Sequence, residues 1–325
     1  PGWSWDIQAC GYITVNDLTI IGSGSDQTLI GPPKNFVSGV EFSPHALVHT
    51  DGGSLSLQDL AVRNCYTGVY VIGTVMMDRC LVDNNAIGVF WSATGSGGWI
   101  GDSVIQSTLP LSPTGLWVKT NGGGSGISMQ RCRSEGVETV IDSIDGMTIV
   151  DSEFTDEIVG ISIYNNARVY MHNSVVANMS RYGVVFSLGS NGYCEIQDSE
   201  VSGGWAALYT GQASYGRFVV YGSRLQGGSV AVLNAYYRPG PCLIMGCDLI
   251  KGTGPVVQCS LSYETVTHDM RNNYWGTTSE ADIQSWIIDH NDDPNIPATV
   301  LYSPFDGQPV SIESTTWGDL KALYR

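Results

Sequence analysis

One short phrase returns along most of the chain and limits what the chain can become. It reads apolar, x, apolar, x, then Asp, Asn, Arg or Gly, then Ser or Cys, then a short tail with another apolar residue. The clearest copies are MTIVDSEF (147–154), VYMHNSVV (169–176), CEIQDSEV (194–201), FVVYGSRL (218–225) and CLIMGCDL (242–249). With the fifth residue of each copy as an anchor, the anchors are Asp59, Arg79, Asp102, Arg131, Asp151, Asn173, Asp198, Gly222, Gly246 and Asn272, and Asp17 is a looser first member. Successive spacings from Asp59 are 20, 23, 29, 20, 22, 25, 24, 24 and 26. A period in the twenties that tolerates insertions is the signature of a solenoid.

Within each copy the apolar residues alternate, which is a strand period. A second phrase, Gly-apolar-x-apolar, follows the anchors at Gly68, Gly88, Gly115, Gly160 and Gly183. Each repeat therefore holds at least two short strands and a sharp turn, with no room for a crossover helix. Such a repeat closes as a coil whose strands pair with their equivalents one rung on. The expected fold is all-β, a single-stranded parallel β-helix of about ten or eleven rungs. Strand twist and crossover chirality make right-handed the expected hand.

Composition adds boundaries. The 40 glycines and 14% charged residues suit a turn-rich β protein. A net charge of −16 argues against nucleic acid, whose phosphates call for Lys and Arg. No apolar run is long enough to span a membrane. The chain opens on Pro1-Gly2-Trp3 without an initiator Met, so it reads as a mature or excised form. Of the eight cysteines, Cys80, Cys132 and Cys247 occupy the slot after the anchor, where other copies carry Ser. Two rungs separate Cys80 from Cys132, roughly 9–10 Å, too far for a bridge. Cys194 and Cys242 share another slot, again two rungs apart. These five are expected as small buried side chains.

The coil is expected over 1–276, a capping helix and strand over 277–305, and a tail with a short docking helix or a frayed end over 306–325. SEADIQSWIIDH (279–290) carries capping-box spacing at Ser279 and Asp282 and an apolar face of Ile283, Trp286 and Ile287 that would cover the last rung. Asn272-Asn273-Tyr274-Trp275-Gly276, then this helix, then Asn291-Asp292-Asp293-Pro294 and Tyr302-Ser303-Pro304, resembles the closing module of bacterial right-handed parallel β-helix repeat proteins. Those belong to the pectate-lyase-like superfamily, with its NosD-like and surface-protein branches. The resemblance implies a secreted or cell-surface location. It leaves activity open, because one fold hosts lyases, hydrolases, adhesins and filaments.

Two columns are candidate sites. The anchors Asp59, Arg79, Asp102, Arg131 and Asp151 alternate in sign, and equivalent positions on adjacent rungs lie about 5 Å apart. Stacked opposite charges make a structural ion ladder. The sharper reading pairs Asp102 or Asp151 with Arg131 as an acid–base set, with Glu153 and Glu200 as further carboxylates. Gly-His-Gly and Arg-x-Lys signatures are missing, so no catalytic residue is assigned. Asp26 and Asp51 lack calcium-ligand spacing, and His45 and His49 with Asp51 make only a weak metal pair; no cofactor or metal is called for.

The second column is the middle residue of the Gly-apolar-x-apolar phrase, expected to point outward: Tyr70, Phe90, Trp117, Ile141, Ser162, Val185, Leu208, Val232 and Val257. A continuous apolar stripe needs a cover. The chain's own segment 291–325, a second copy, or sugar rings on the aromatic end Tyr70–Phe90–Trp117 would each supply one. A register error of one residue would invert the argument. The functional expectation is a non-catalytic extracellular surface or appendage protein that self-associates, as oligomer or filament, or binds glycans. The alternative is a lyase or hydrolase acting on acidic polysaccharide.

Overall fold

The computed structural model describes residues 9–13, 15–31, 45–50, 52–94, 97–109, 113–120, 125–211, 215–236, 240–260 and 265–309, with side chains omitted at 9–13 and 125. Over these residues the chain is a parallel β-solenoid with three faces. Sheet 1 has 12 strands, from Ala9–Ile13 to Ile287–Ile288. Sheet 2 has 12, from Asp17–Ile21 to Ala298–Leu301, and sheet 3 has 10, from Leu29–Ile30 to Asp248–Ile250. Each strand pairs in parallel with its equivalent one coil on. The third strand is short, as in Glu153–Thr155, and corresponds to the tail of the recurring phrase.

Alternation builds the core. On sheet 2, Met147, Val169, Cys194, Phe218 and Cys242 share one inward column. Ile149, Met171, Ile196, Val220 and Ile244 share the next. Sheet 3 adds Phe154, Val176, Val201, Leu225 and Leu249, and all join one apolar core. Burying each such side chain contributes about 1.5–3 kcal/mol. A one-residue slip would turn a whole column to solvent, so this core enforces register.

The anchor is the turn between sheets 2 and 3. All ten anchors from Asp59 to Asn272 have positive φ, between 45° and 62°. That left-handed conformation is open to Gly and tolerated by Asn and Asp, which explains most of the column's composition. The anchor N–H still bonds to the next coil, as Asp151 N to His172 O at 3.2 Å and Asn173 N to Gln197 O at 3.1 Å.

The slot after the anchor faces inward and carries a hydroxyl ladder. The backbone N–H of Ser152, Ser174 and Ser199 donates to the Oγ of Ser174, Ser199 and Ser223, at 3.2, 3.1 and 3.1 Å. Each Oγ in turn donates within its own turn, as Ser199 Oγ to Gln197 O at 2.7 Å. A buried turn N–H that pairing would leave orphaned is thereby satisfied. Asn273 does the same for Cys247 N through its Oδ1, at 2.8 Å. Cys80, Cys132 and Cys247 fit the slot because a thiol keeps the donor half, to Asp78 O, Gln130 O and Met245 O at 3.4, 3.3 and 3.4 Å. Seven cysteines are free and buried, the five expected among them. The side chain of Cys10 lies outside the described residues.

Ser279 caps helix α1 (Glu280–Ser285), accepting from Asp282 N at 3.3 Å. The helix is shorter than the expected 279–290. Trp286 leaves helical geometry, and Ile287–Ile288 becomes the last strand of sheet 1, pairing with Val257–Gln258. Two β-branched residues next to an open strand edge do better as a strand. Ile283 and Ile287 bury against the last coil, and Ala298–Leu301 closes sheet 2. The docking helix expected at the end of the 306–325 tail, over 315–325, falls outside the described residues.

Candidate functional site

The turn column does not form a continuous ladder. Arg79 clamps Asp59 through two bonds, Nε to Oδ1 at 2.7 Å and Nη2 to Oδ2 at 2.8 Å, while its Nη1 contacts Asp78. Arg131 clamps Asp102 likewise, at 2.8 and 2.7 Å. Asp151 instead accepts from Asn173 Nδ2 at 2.6 Å. Arg79 spends Nε and Nη2 on Asp59 and turns its Nη1 to Asp78 at the end of its own strand instead of to Asp102, so the column resolves into pairs. The Arg79 hydrogen bonds hold the Asp59 carboxyl below its ordinary range, whereas desolvation pushes Asp78 up.

On sheet 1 the outward column begins as expected, with Tyr70, Phe90 and Trp117 in register. It then runs through Val140, Ser162, Val185, Tyr209, Asn234 and Gln258. Leu208 and Val232 do not belong to it: both are 0% exposed and sit in the core. Ile141 and Val257 are buried too. In the later coils Ala207 and Val232 stand where the marker glycine stood, so the expected column slips by one residue at Leu208 against Tyr209 and by two at Val232 against Asn234. The true outward column turns polar at Asn234, and the apolar stripe is shorter than expected.

Its rings also face one another. Tyr70 and Phe90 stack at 4.8 Å with planes 12° apart, and Lys119 Nζ sits 5.0 Å from the Phe90 centroid. Trp117 meets Phe90 at 71°. A second group, missed in the sequence, stacks Tyr182 on Tyr209 at 4.4 Å and Tyr209 on Tyr236 at 6.2 Å, with Arg181 over Trp205 at 4.4 Å. The stacked pairs Tyr70–Phe90 and Tyr182–Tyr209 spend ring faces on one another along the axis and so act mainly as packing ladders.

Sheet 2 presents a different surface. Three adjacent strands, Arg168–His172, Tyr193–Gln197 and Arg217–Tyr221, lie in strict register. Alternation puts nine side chains on the outer face: Arg168, Tyr170 and His172; Tyr193, Glu195 and Gln197; Arg217, Val219 and Tyr221. Glu195 is at the centre. Tyr193 Oη donates to its Oε2 at 2.7 Å and Tyr221 Oη to its Oε1 at 2.5 Å. The Tyr221 and Tyr193 hydroxyls hold the Glu195 carboxyl below its ordinary range. Accepting carboxylate pushes Tyr221 up to about 12; desolvation, with Glu195 second, pushes Tyr193 up. Tyr170 leans on Tyr193 at 5.9 Å with planes 52° apart, so neither ring face is fully covered by the other. Arg168 reaches Asp145 at 3.5 Å; Arg217 makes no ion pair among the described residues. The grid is thus a fixed anion flanked by phenol, amide, imidazole and guanidinium groups. No motif signals it, because its members are spread over 54 positions and meet only once the coil register is known.

Other chemistry is sparser. On sheet 3, Arg133 Nη2 pairs with Glu135 at 3.0 Å, and Arg133 Nε lies 3.9 Å from Glu153. Desolvation, helped by Glu135 and Asp156, raises Glu153 against the pull of Arg133. His45 packs edge-on against Tyr66 and Tyr70, and His49 Nε2 contacts Val15 O at 2.9 Å. No group of metal-ligating side chains gathers among the described residues. Asp51 lies outside them. No helix among them is long and apolar enough to cross a membrane. No family model, no curated protein and no solved structure matches this chain.

Proposed function

We propose that the chain is a non-catalytic solenoid that binds glycans on the outer face of sheet 2. The observation that carries this reading is the Glu195 grid. Both carboxylate oxygens are fixed by phenol donors and still have lone pairs for the hydroxyls of a sugar. Tyr170 and Tyr193 offer apolar ring surface at low entropic cost, and His172 and Gln197 add polar partners on the same face. A rigid sheet repeated about every 4.8 Å suits a ligand that is itself a chain of similar units. The polar, phenol-rich composition favours this face over the sheet 1 aromatics, where Tyr70 stacks on Phe90 and Tyr182 on Tyr209.

Affinity electrophoresis through gels containing soluble neutral and acidic polysaccharides tests the proposal. Wild-type protein is expected to be retarded by at least one of them, and Tyr170→Ala or Glu195→Gln to lose that retardation at least tenfold. Tyr209→Ala, on sheet 1, should leave it unchanged. Binding lost with Trp117→Ser but kept with both sheet 2 variants would move the site to sheet 1 and sink the assignment.

A second reading, a carbohydrate-active enzyme, draws on the raised Glu153 beside Arg133 and Glu135. Release of unsaturated or reducing ends from polyuronates, abolished by Glu153→Gln, would establish it in place of the first.

A further inference from the structure

The C-terminal end of the solenoid is closed by a small module: α1, the strand Ile287–Ile288 and the strand Ala298–Leu301. Its main seam is the parallel pairing of Ala298–Leu301 with Val266–Asp269. His268 sits in that seam, directly paired with Val300, with its side chain 0% exposed. Its Nδ1 lies 3.2 Å from Cys242 Sγ, and its Nε2 is buried with no partner among the described residues. An imidazole with one weak partner and one orphaned nitrogen is tolerable while neutral. An imidazolium would carry two N–H donors and a charge into the same space.

No carboxylate pairs with its ring among the described residues. Cys242 and Cys259 are buried thiols pushed up by desolvation. The Asp269 carboxylate is taken by Arg271, at 2.9 and 2.7 Å. Asp289, in the cap, already accepts from Val300 N at 2.8 Å and Asn291 N at 2.9 Å. His290 is turned to Ile296 O at 2.9 Å.

We propose that the C-terminal cap is an acid-released latch with His268 as its trigger: protonation parts the Val266–Asp269 and Ala298–Leu301 strands and opens the end of the solenoid. The sign follows from burial, which lowers the His268 imidazole to about 4 with the cap closed. With the cap open and the ring in water it would titrate near its ordinary 6.5. The closed form therefore binds fewer protons between those values, and falling pH favours the open form. From pH 8 to pH 4.5 the opening constant should rise by up to about 80-fold. Opening would expose the strand edges that the cap now pairs.

Amide hydrogen exchange of the full chain at pH 7.5 and 4.5, corrected for intrinsic rates, tests this. Wild type is expected to show exchange in 280–301 rising at least tenfold at pH 4.5, with 145–202 unchanged. His268→Leu should hold the cap exchange flat, and His172→Gln, a change on the outer face, should leave the wild-type response intact. Cap exchange that does not respond to pH in the wild type, a response that survives in His268→Leu, or simultaneous loss of protection in 145–202 would each overturn the latch. Should His268→Leu not fold, His268→Asn takes its place, with the same flat cap profile expected.

Discussion

Single residues inside this solenoid are held by hydrogen bonds more than their small size suggests. Ser199 is the example: its Oγ accepts from Ser174 N at 3.1 Å and donates to Gln197 O at 2.7 Å, in a site 1% exposed. Ser199→Ala should destabilise by about 1–3 kcal/mol, because it strands the buried Ser174 N–H, while Gln197 O keeps its bond from Asn173 N. Ser199→Cys should cost less, since a thiol keeps the donor half and already occupies this slot at Cys80, Cys132 and Cys247. Urea midpoints of the two variants measure the difference; equal losses would mean that the slot demands only volume. The Ser/Cys alternation was legible in the sequence as a column of small buried residues. Its hydrogen-bond ladder was not, because the partners are one coil apart and only the inward direction of the slot makes them meet.

At the scale of the turn, the anchor column read in sequence as a charge pattern is first a backbone pattern. Ten residues share left-handed φ, and arginine at two of them bears a cost that glycine at Gly222 and Gly246 does not. Replacing Arg131 by Gly or by Ala removes the same clamp on Asp102 but differs in the backbone. Arg131→Gly should be more stable than Arg131→Ala by about 1 kcal/mol. The clamp itself, with both partners partly exposed, should contribute within about 1 kcal/mol and weaken in high salt. A thermal-melt series at low and high salt separates the two effects; an Ala variant as stable as Gly would contradict the strained-turn account. The outward column of sheet 1 failed at this same scale. The marker glycine gives way to Ala207 and Val232, and both residues are apolar enough for a shifted register to look plausible. Packing, which periodicity alone does not contain, is what places Leu208 inside.

Across the whole molecule, each coil contacts only its neighbours, so stability should depend on position along the axis. Ile196, mid-rod, is sealed between coils, and Ile196→Ala should cost about 2–4 kcal/mol. Ile20 occupies the equivalent inward column in the first described coil of sheet 2, as Leu57 does one coil on, yet Ile20 is only half-buried while Leu57 is fully buried. Leu18 and Ile30 show the same deficit against Leu55 and Val62. Ile20→Ala should therefore cost less than half as much, by chemical denaturation under matched conditions. The two ends also differ in what they offer a neighbour. The cap covers one, while at the other, among the described residues, half-covered inward side chains lie on strands paired along a single edge. Twelve strands about 4.8 Å apart set a rod of roughly 53 Å. Small-angle scattering should give a maximum dimension near that length plus the terminal segments for a single chain, and about twice it if the less covered ends meet. A particle growing without limit would require the capped end to pair as well, which the burial of Ile283 and Ile287 against the last coil argues against.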